Sequence, residues 1–276
     1  MLSPSRRTFL GTSLATVTAS RTAMSAPASS KIVVGVMGTG GRGQQHAKLF
    51  ASMPNVEVAY VCDVDPARAA KAQEVTIAAK NSTSKPKIVS DFRRILDDKS
   101  VDVLSCAACN HWHAPATILA CQAGKHVYVE KPMVHRLEEG AAVIEAQRKT
   151  GKVLQVGSQR VSSVVTLKAK ELYEKNLIGD LILVETWNDR HSANGAWQYS
   201  IPTDARNNTV DWDSFIGDAP KIAYDPVRFF RWRNYQDYGT GVAGDLFVHL
   251  FSALHTVTSS TGPTRCYTTG DRKSTR

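Results

Sequence analysis

Gly38, Gly40 and Gly43 carry the clearest chemistry in this chain. The G-x-G-x-x-G spacing provides a tight turn, a close approach of backbone to a pyrophosphate, and close packing of a helix on the strand before it. Asp63 follows 20 residues after Gly43. A dinucleotide site has there the carboxylate that holds the adenosine ribose hydroxyls. An acid at that point repels the extra phosphate of NADP and so favours NAD. Arg42, Arg68 and Lys71 stand close enough in sequence to blur the preference, and NADP stays open. Asp245 and His249 are four residues apart on an expected helix, which turns both toward one face. A histidine there can exchange a proton with a hydroxyl near neutral pH. Cys106, Cys109, His111 and His113 spell C-x-x-C-x-H-x-H, a pattern that could suggest zinc or a redox pair. It follows a buried strand at the dinucleotide crevice and no second paired cluster accompanies it, so no metal is expected.

Positioning these residues requires strands that end at them. Ile32 to Met37 is a nearly continuous apolar run, as in a strand buried on both faces, and it leads directly into the glycines. Val56 to Cys62 is a second such run and ends at Asp63. Further strands are read at Lys87–Val89, Val101–Ser105, His126–Glu130 and Val153–Val156. Helices are read between them, at Pro66–Lys80, Asp91–Leu96, Ala114–Ala123 and Leu137–Lys149. The alternation predicts an α/β fold with a doubly wound parallel sheet. Ligands bind such sheets beyond the C-terminal strand ends. Asn110 to His113, Glu130 to Pro132 and Gly157 to Arg160 all fall at such ends.

The 276 residues suffice for two domains, and the net charge of +9 includes Arg6, Arg7, Arg21 and a basic tail. The remaining excess is scattered, without a basic stripe or a nucleic-acid motif, so no nucleic-acid partner is expected. Residues 1–28 resemble a twin-arginine export signal: Ser5-Arg6-Arg7-Thr8-Phe9-Leu10, a short apolar stretch, then Ala26-Pro27-Ala28. The alternative is an arginine-bearing disordered N-terminus. The expected location is periplasmic or otherwise exported, with no membrane span.

Together these pieces resemble the Gfo/Idh/MocA family of NAD(P)-dependent oxidoreductases, named for glucose–fructose oxidoreductase and inositol dehydrogenase. The matching stretches are GTGGRG at 38–43, CDVDP at 62–66, NHWHAPA at 110–116, GKHVYVEKP at 124–132, GSQR at 157–160 and GDLFVH at 244–249. The resemblance implies a dinucleotide-binding domain over 29–157. It implies a substrate and oligomerisation domain over 158–276 with an open, mainly antiparallel sheet, incomplete here. It assigns Gly38, Thr39, Gly40, Gly41, Arg42, Gly43, Asp63, Asn110, His113, Glu130 and Lys131 to the cofactor. It makes Lys131, Asp245 and His249 the catalytic set. His249 takes the proton from a substrate hydroxyl, Asp245 binds a hydroxyl or orients His249, and Lys131 bonds the reacting hydroxyl or sits by the nicotinamide ribose.

The second half offers a helix at Val164–Lys175 and an alternating run at Leu181–Trp187 that reads as a strand. Residues 188–240 are polar and rich in aromatics, which suits the C–H faces and hydroxyls of sugars. Trp187, Arg190, His191 and Tyr238 are the candidate substrate residues. The competing explanation is that such aromatics pack a core. Family members continue well past this point, so Pro263–Thr268 reads as the start of a strand in a truncated sheet. The full-length parent is expected to be a homo-oligomer. The reading is an NAD(P)-dependent oxidoreductase acting on a sugar, polyol or related hydroxyl compound. The alternatives are a glycoside-cleaving enzyme that oxidises its substrate transiently with bound NAD, and a non-catalytic dinucleotide-binding fragment.

Overall fold

The structure is a computed structural model that describes residues 31–82, 85–187, 195–206 and 209–269. The expected export signal at 1–28 lies outside them. Six strands form one sheet: β1 (Ile32–Met37), β2 (Val56–Cys62), β3 (Lys87–Val89), β4 (Val103–Cys106), β5 (His126–Glu130) and β6 (Leu154–Gly157). All neighbours pair in parallel, in the order β3-β2-β1-β4-β5-β6. The order reverses between β1 and β4, and that switch point opens a crevice beyond the strand ends.

Helices cover both faces. On one, α1 (Gly41–Ala51) packs against α2 (Pro66–Ile77) over Val34, Val36, Val58 and Val61. On the other, α3 (Arg93–Asp97), α4 (His113–Gln122) and α5 (Glu139–Thr150) cover Met37, Tyr60, Leu104, Val127 and Val129. Burial on both faces is why these strands read as unbroken apolar runs rather than alternating ones. Local capping agrees with sequence. The Asp65 side chain accepts from Ala67 N at the start of α2, with Pro66 in the first turn, and Gly151 closes α5 in the left-handed conformation.

The second half adds α6 (Val164–Glu174), two short helices α7 (Trp212–Ile216) and α8 (Pro226–Phe230), and α9 (Val248–Thr258), which packs on α6. A five-residue π turn, Ala243–Phe247, runs directly into α9. Phe215, Ile216, Phe229, Trp232 and Tyr238 build a separate aromatic core against Val64 and Cys109 of the sheet domain.

Two expectations fail here. Residues 181–187 form no strand, and Ile182 is 91% exposed. Residues 263–268 form none either. Among the described residues no strand lies beside them, so their backbone groups have no ladder to join and their alternation no face to bury. No second sheet is present among the described residues.

Candidate functional site

The turn after β1 is shaped by what it excludes. Gly38 has φ +79°, and a Cβ on it would overlap the backbone of Ala108. A Cβ on Gly43 would overlap the carbonyl of Gly38. These two glycines let α1 start tight against the strand. Gly40 caps α1 with no side-chain bond, and the nearest atom to a Cβ there is Arg68 Nη1 at 3.9 Å. The first N–H groups of α1 therefore face open space, a ready seat for phosphate. That space is a cavity of about 860 Å³ between the glycine turn, Asp63, Arg68 and the aromatic segment 213–233. The turn, the free helix start and the cavity fit a dinucleotide.

Asp63 sits at the end of β2 on the cavity wall. Its Oδ2 accepts from Thr39 N (2.6 Å) and Thr39 Oγ1 (3.2 Å), and its Oδ1 accepts from Asp65 N (3.0 Å). The carboxylate thus ties the glycine turn to β2, and Oδ1, which accepts a single bond, keeps a further lone pair for a hydroxyl. Burial pushes its pKa up, against the pull of Arg68 and of the backbone N–H donors. The three nearby cations already have partners: Arg42 on Glu130 (2.8 Å), Arg68 against Asp65 (3.4 Å), and Lys71 on Glu74 (2.8 Å). Arg68 also lies over the rings of Phe229 and Phe230, at 4.6 and 5.1 Å from their centroids.

A second cavity, of about 300 Å³, is lined by residues from three strand ends and from the second half: Asn110, His113, Glu130, Lys131, Gln159, Arg233 and His249, with Arg42 and residues 107–108 at its edge. Lys131 Nζ donates to the backbone oxygen of Asp245 (2.6 Å) and lies 3.2 Å from its Oδ1. Asp245 Oδ2 lies 3.3 Å from Arg233 Nε. Asp245 belongs to the π turn and His249 to α9, which continues directly from it, and the Asp245 charge acts on the His249 ring. Burial pushes the His249 pKa down, and the positive charges of Lys131 and Arg160 act in the same direction. The imidazole is neutral at neutral pH and able to accept a proton.

Several residues expected at the cofactor line the second cavity and also bond within the protein. Glu130 accepts from Arg42 Nε, from Gln159 Nε2 at 3.0 and 3.1 Å, and pairs with His46 Nε2 at 3.0 Å. Burial raises its pKa, but the bonds from His46 and Arg42 outweigh that and bring it down to about 2. His46 touches Ser105 Oγ with its other nitrogen. Asn110 Oδ1 accepts from Thr240 N and Oγ1, both at 3.1 Å. His113 is 1% exposed, with Nδ1 2.6 Å from Pro132 O and Nε2 3.1 Å from Ala108 O. His111 Nε2 and Trp112 Nε1 both reach Phe215 O. These side chains fasten strand ends to one another and to the second half.

The substrate candidates fare differently. Tyr238 is fully buried, packed against Trp212, Phe215 and His111 in the aromatic core. Its role is packing, because aromatic rings that bury this much area stabilise a core. Trp187 is 72% exposed and lines neither cavity. Arg190 and His191 lie outside the described residues. Burial pushes the Cys106 and Cys109 thiols up to about 12, so neither is a reactive thiolate at neutral pH. Among the described residues no group of histidines, cysteines and acids could hold a metal. His46 and Arg233 escaped the sequence reading and carried no signal there, whereas Gln159 lay in the Gly157–Arg160 stretch singled out at the end of β6, without a role of its own.

Residues 32–158 match the model of the Gfo/Idh/MocA oxidoreductase family, described as an NAD-binding Rossmann fold. Inositol 2-dehydrogenase of Salmonella paratyphi B is 31% identical over 172 residues, which are 61% of this chain and 48% of that protein. Levoglucosan dehydrogenase of Pseudarthrobacter phenanthrenivorans is 27% identical over 209 residues, 71% of this chain and 50% of its own length. The chain therefore spans about half the length of the curated relatives it matches. An NAD-binding protein from Listeria innocua superposes with a TM-score of 0.57 at 26% identity, covering 81% of this chain and 54% of that one.

Proposed function

We propose that the protein is an NAD(H)-dependent oxidoreductase of the Gfo/Idh/MocA type acting on a CH–OH group of a sugar or polyol, a reading supported by the match of residues 32–158 to that family's NAD-binding Rossmann model. The observation that carries this is the junction of two cavities. The crevice at the glycine turn and the smaller cavity around Lys131 and His249 share Arg42, Arg233 and residues 107–108. A hydride acceptor in the first would reach a substrate in the second.

When bound, the nicotinamide supplies a hydride acceptor or donor. The N–H groups at the start of α1 would hold phosphate, and Asp63 Oδ1 would offer its remaining lone pair to a ribose hydroxyl. His249, neutral through burial and its cationic neighbours, accepts the hydroxyl proton at an imidazole nitrogen. Lys131, fixed by Asp245, keeps an ammonium directed at the same cavity and stabilises a developing alkoxide. The relatives' names support a carbohydrate or polyol substrate.

The test is nucleotide binding followed by turnover. NADH fluorescence titration of the purified protein is expected to reach about one nucleotide per chain, and a sugar and polyol screen is expected to reduce NAD. Lys131→Met is expected to lower kcat by about a hundredfold or more while NADH affinity changes little. Full turnover in that variant would overturn the catalytic assignment.

A further inference from the structure

Arg233 lines both cavities and stands beside Lys131 and Asp245. Its Nε is buried and 3.3 Å from Asp245 Oδ2, in a geometry that makes no hydrogen bond. Its guanidinium carbon lies over the Trp232 ring, 4.2 Å from the centroid. The side chain remains 29% exposed, and it makes no hydrogen bond among the described residues. The carboxylates nearby are already committed. Glu130 serves Arg42, His46 and Gln159, and Asp245 is shared by Lys131 and Arg233. Three cations (Arg42, Lys131 and Arg233) meet two carboxylates around a cavity of about 300 Å³. A planar guanidinium with unused donors, seated over Trp232 beside an uncompensated positive charge, matches an oxyanion.

The geometry points to Arg233 as the anchor for a carboxylate on the substrate, so that the hydroxyl compound oxidised at Lys131 and His249 is a polyhydroxy acid, an aldonic or uronic acid, rather than a neutral sugar. This rests on the dinucleotide-dependent reading above and narrows its substrate class. The oxyanion could also come from the cofactor's diphosphate. The N–H groups at the start of α1 would serve that group, whereas Arg233 adjoins the proton-handling residues.

The experiment begins with an NADH titration of the wild-type chain. Matched ligands are then titrated into the NADH-loaded protein: D-glucose against D-gluconate and D-glucuronate, and D-galactose against D-galacturonate. At least one acid is expected to bind about tenfold or more tighter than its neutral partner. Arg233→Met is expected to erase that preference and leave NADH affinity within about twofold. Equal or tighter binding of the neutral sugars overturns the inference, with no variant needed. So does an Arg233→Met variant that weakens NADH itself, which would assign the guanidinium to the diphosphate. Failure of the wild-type chain to bind NADH is a separate result, and it overturns the dinucleotide reading and this inference with it.

Discussion

His249 is ready to act as a base because its surroundings oppose its charged form. It is half-buried, and Lys131 and Arg160 place positive charge near it, while Asp245 and Glu130 only partly offset them. Its pKa lies below the ordinary 6.5. For substrate oxidation the neutral form is active, so kcat is expected to rise with pH through a limb below that value and to be flat at neutral pH. Arg160→Gln removes one like charge and is expected to move that limb upward in pH; an unmoved limb in the kcat–pH profile would remove His249 from the base role. Asp63 teaches a related lesson. Its position after β2 is what the sequence spacing implies, yet its first partners are N–H groups of residues 39 and 65. One carboxylate shapes the turn and faces the cavity at once.

At the scale of elements, the Glu130 network does the joining. Glu130 ends β5, Arg42 and His46 belong to α1, and Gln159 follows β6. Their bonds hold the start of α1 at a fixed height relative to Lys131, the next residue along. The network also makes stability depend on acid. The Glu130 pKa falls from 4.5 to about 2 on folding. A depressed carboxylate contributes stability above its unfolded pKa and loses it as pH falls through the folded one, here between 4.5 and about 2. The contribution is on the order of 3 kcal/mol. Glu130→Gln is expected to flatten the unfolding free energy across that pH window in urea titrations, with NADH affinity lowered as well. An unchanged acid limb would show that the ion pairs contribute nothing net. In the second half, Arg68 of α2 stacked on Phe229 and Phe230 of α8 is a comparable clamp, made of cation–π contact instead of charge pairs.

Across the whole molecule, stability is concentrated in the parallel sheet and thins toward the second half. Leu104 is fully buried in β4, while Val164, Val165, Ile182 and Leu183 are mostly exposed. Leu104→Ala is expected to cost about 3 kcal/mol in thermal or urea unfolding. Ile182→Ala is expected to change stability by less than about 0.5 kcal/mol. A large loss at Ile182 would mean that residues 181–187 pack in solution against a surface not seen here.

What was legible in sequence follows from how local each signal is. The glycine turn, the strand–helix alternation, and Asp63, Glu130 and Lys131 at strand ends were all readable. Backbone conformation, two-sided burial and chain punctuation are set by residues near one another. The 3-2-1-4-5-6 sheet follows from right-handed crossovers between such units. The strand expected at 181–187 was not determined that way, because a strand exists only with a partner, and alternation is silent about partners. Tyr238 and Arg233 lie five residues apart and have opposite fates. The tyrosine is sealed into an aromatic core, while the arginine opens onto the cavity beside Asp245. Which of two nearby side chains meets the core and which meets the site depends on how a non-repetitive segment docks across the sheet ends. That docking is fixed by contacts between residues far apart in sequence, and only the tertiary structure contains them.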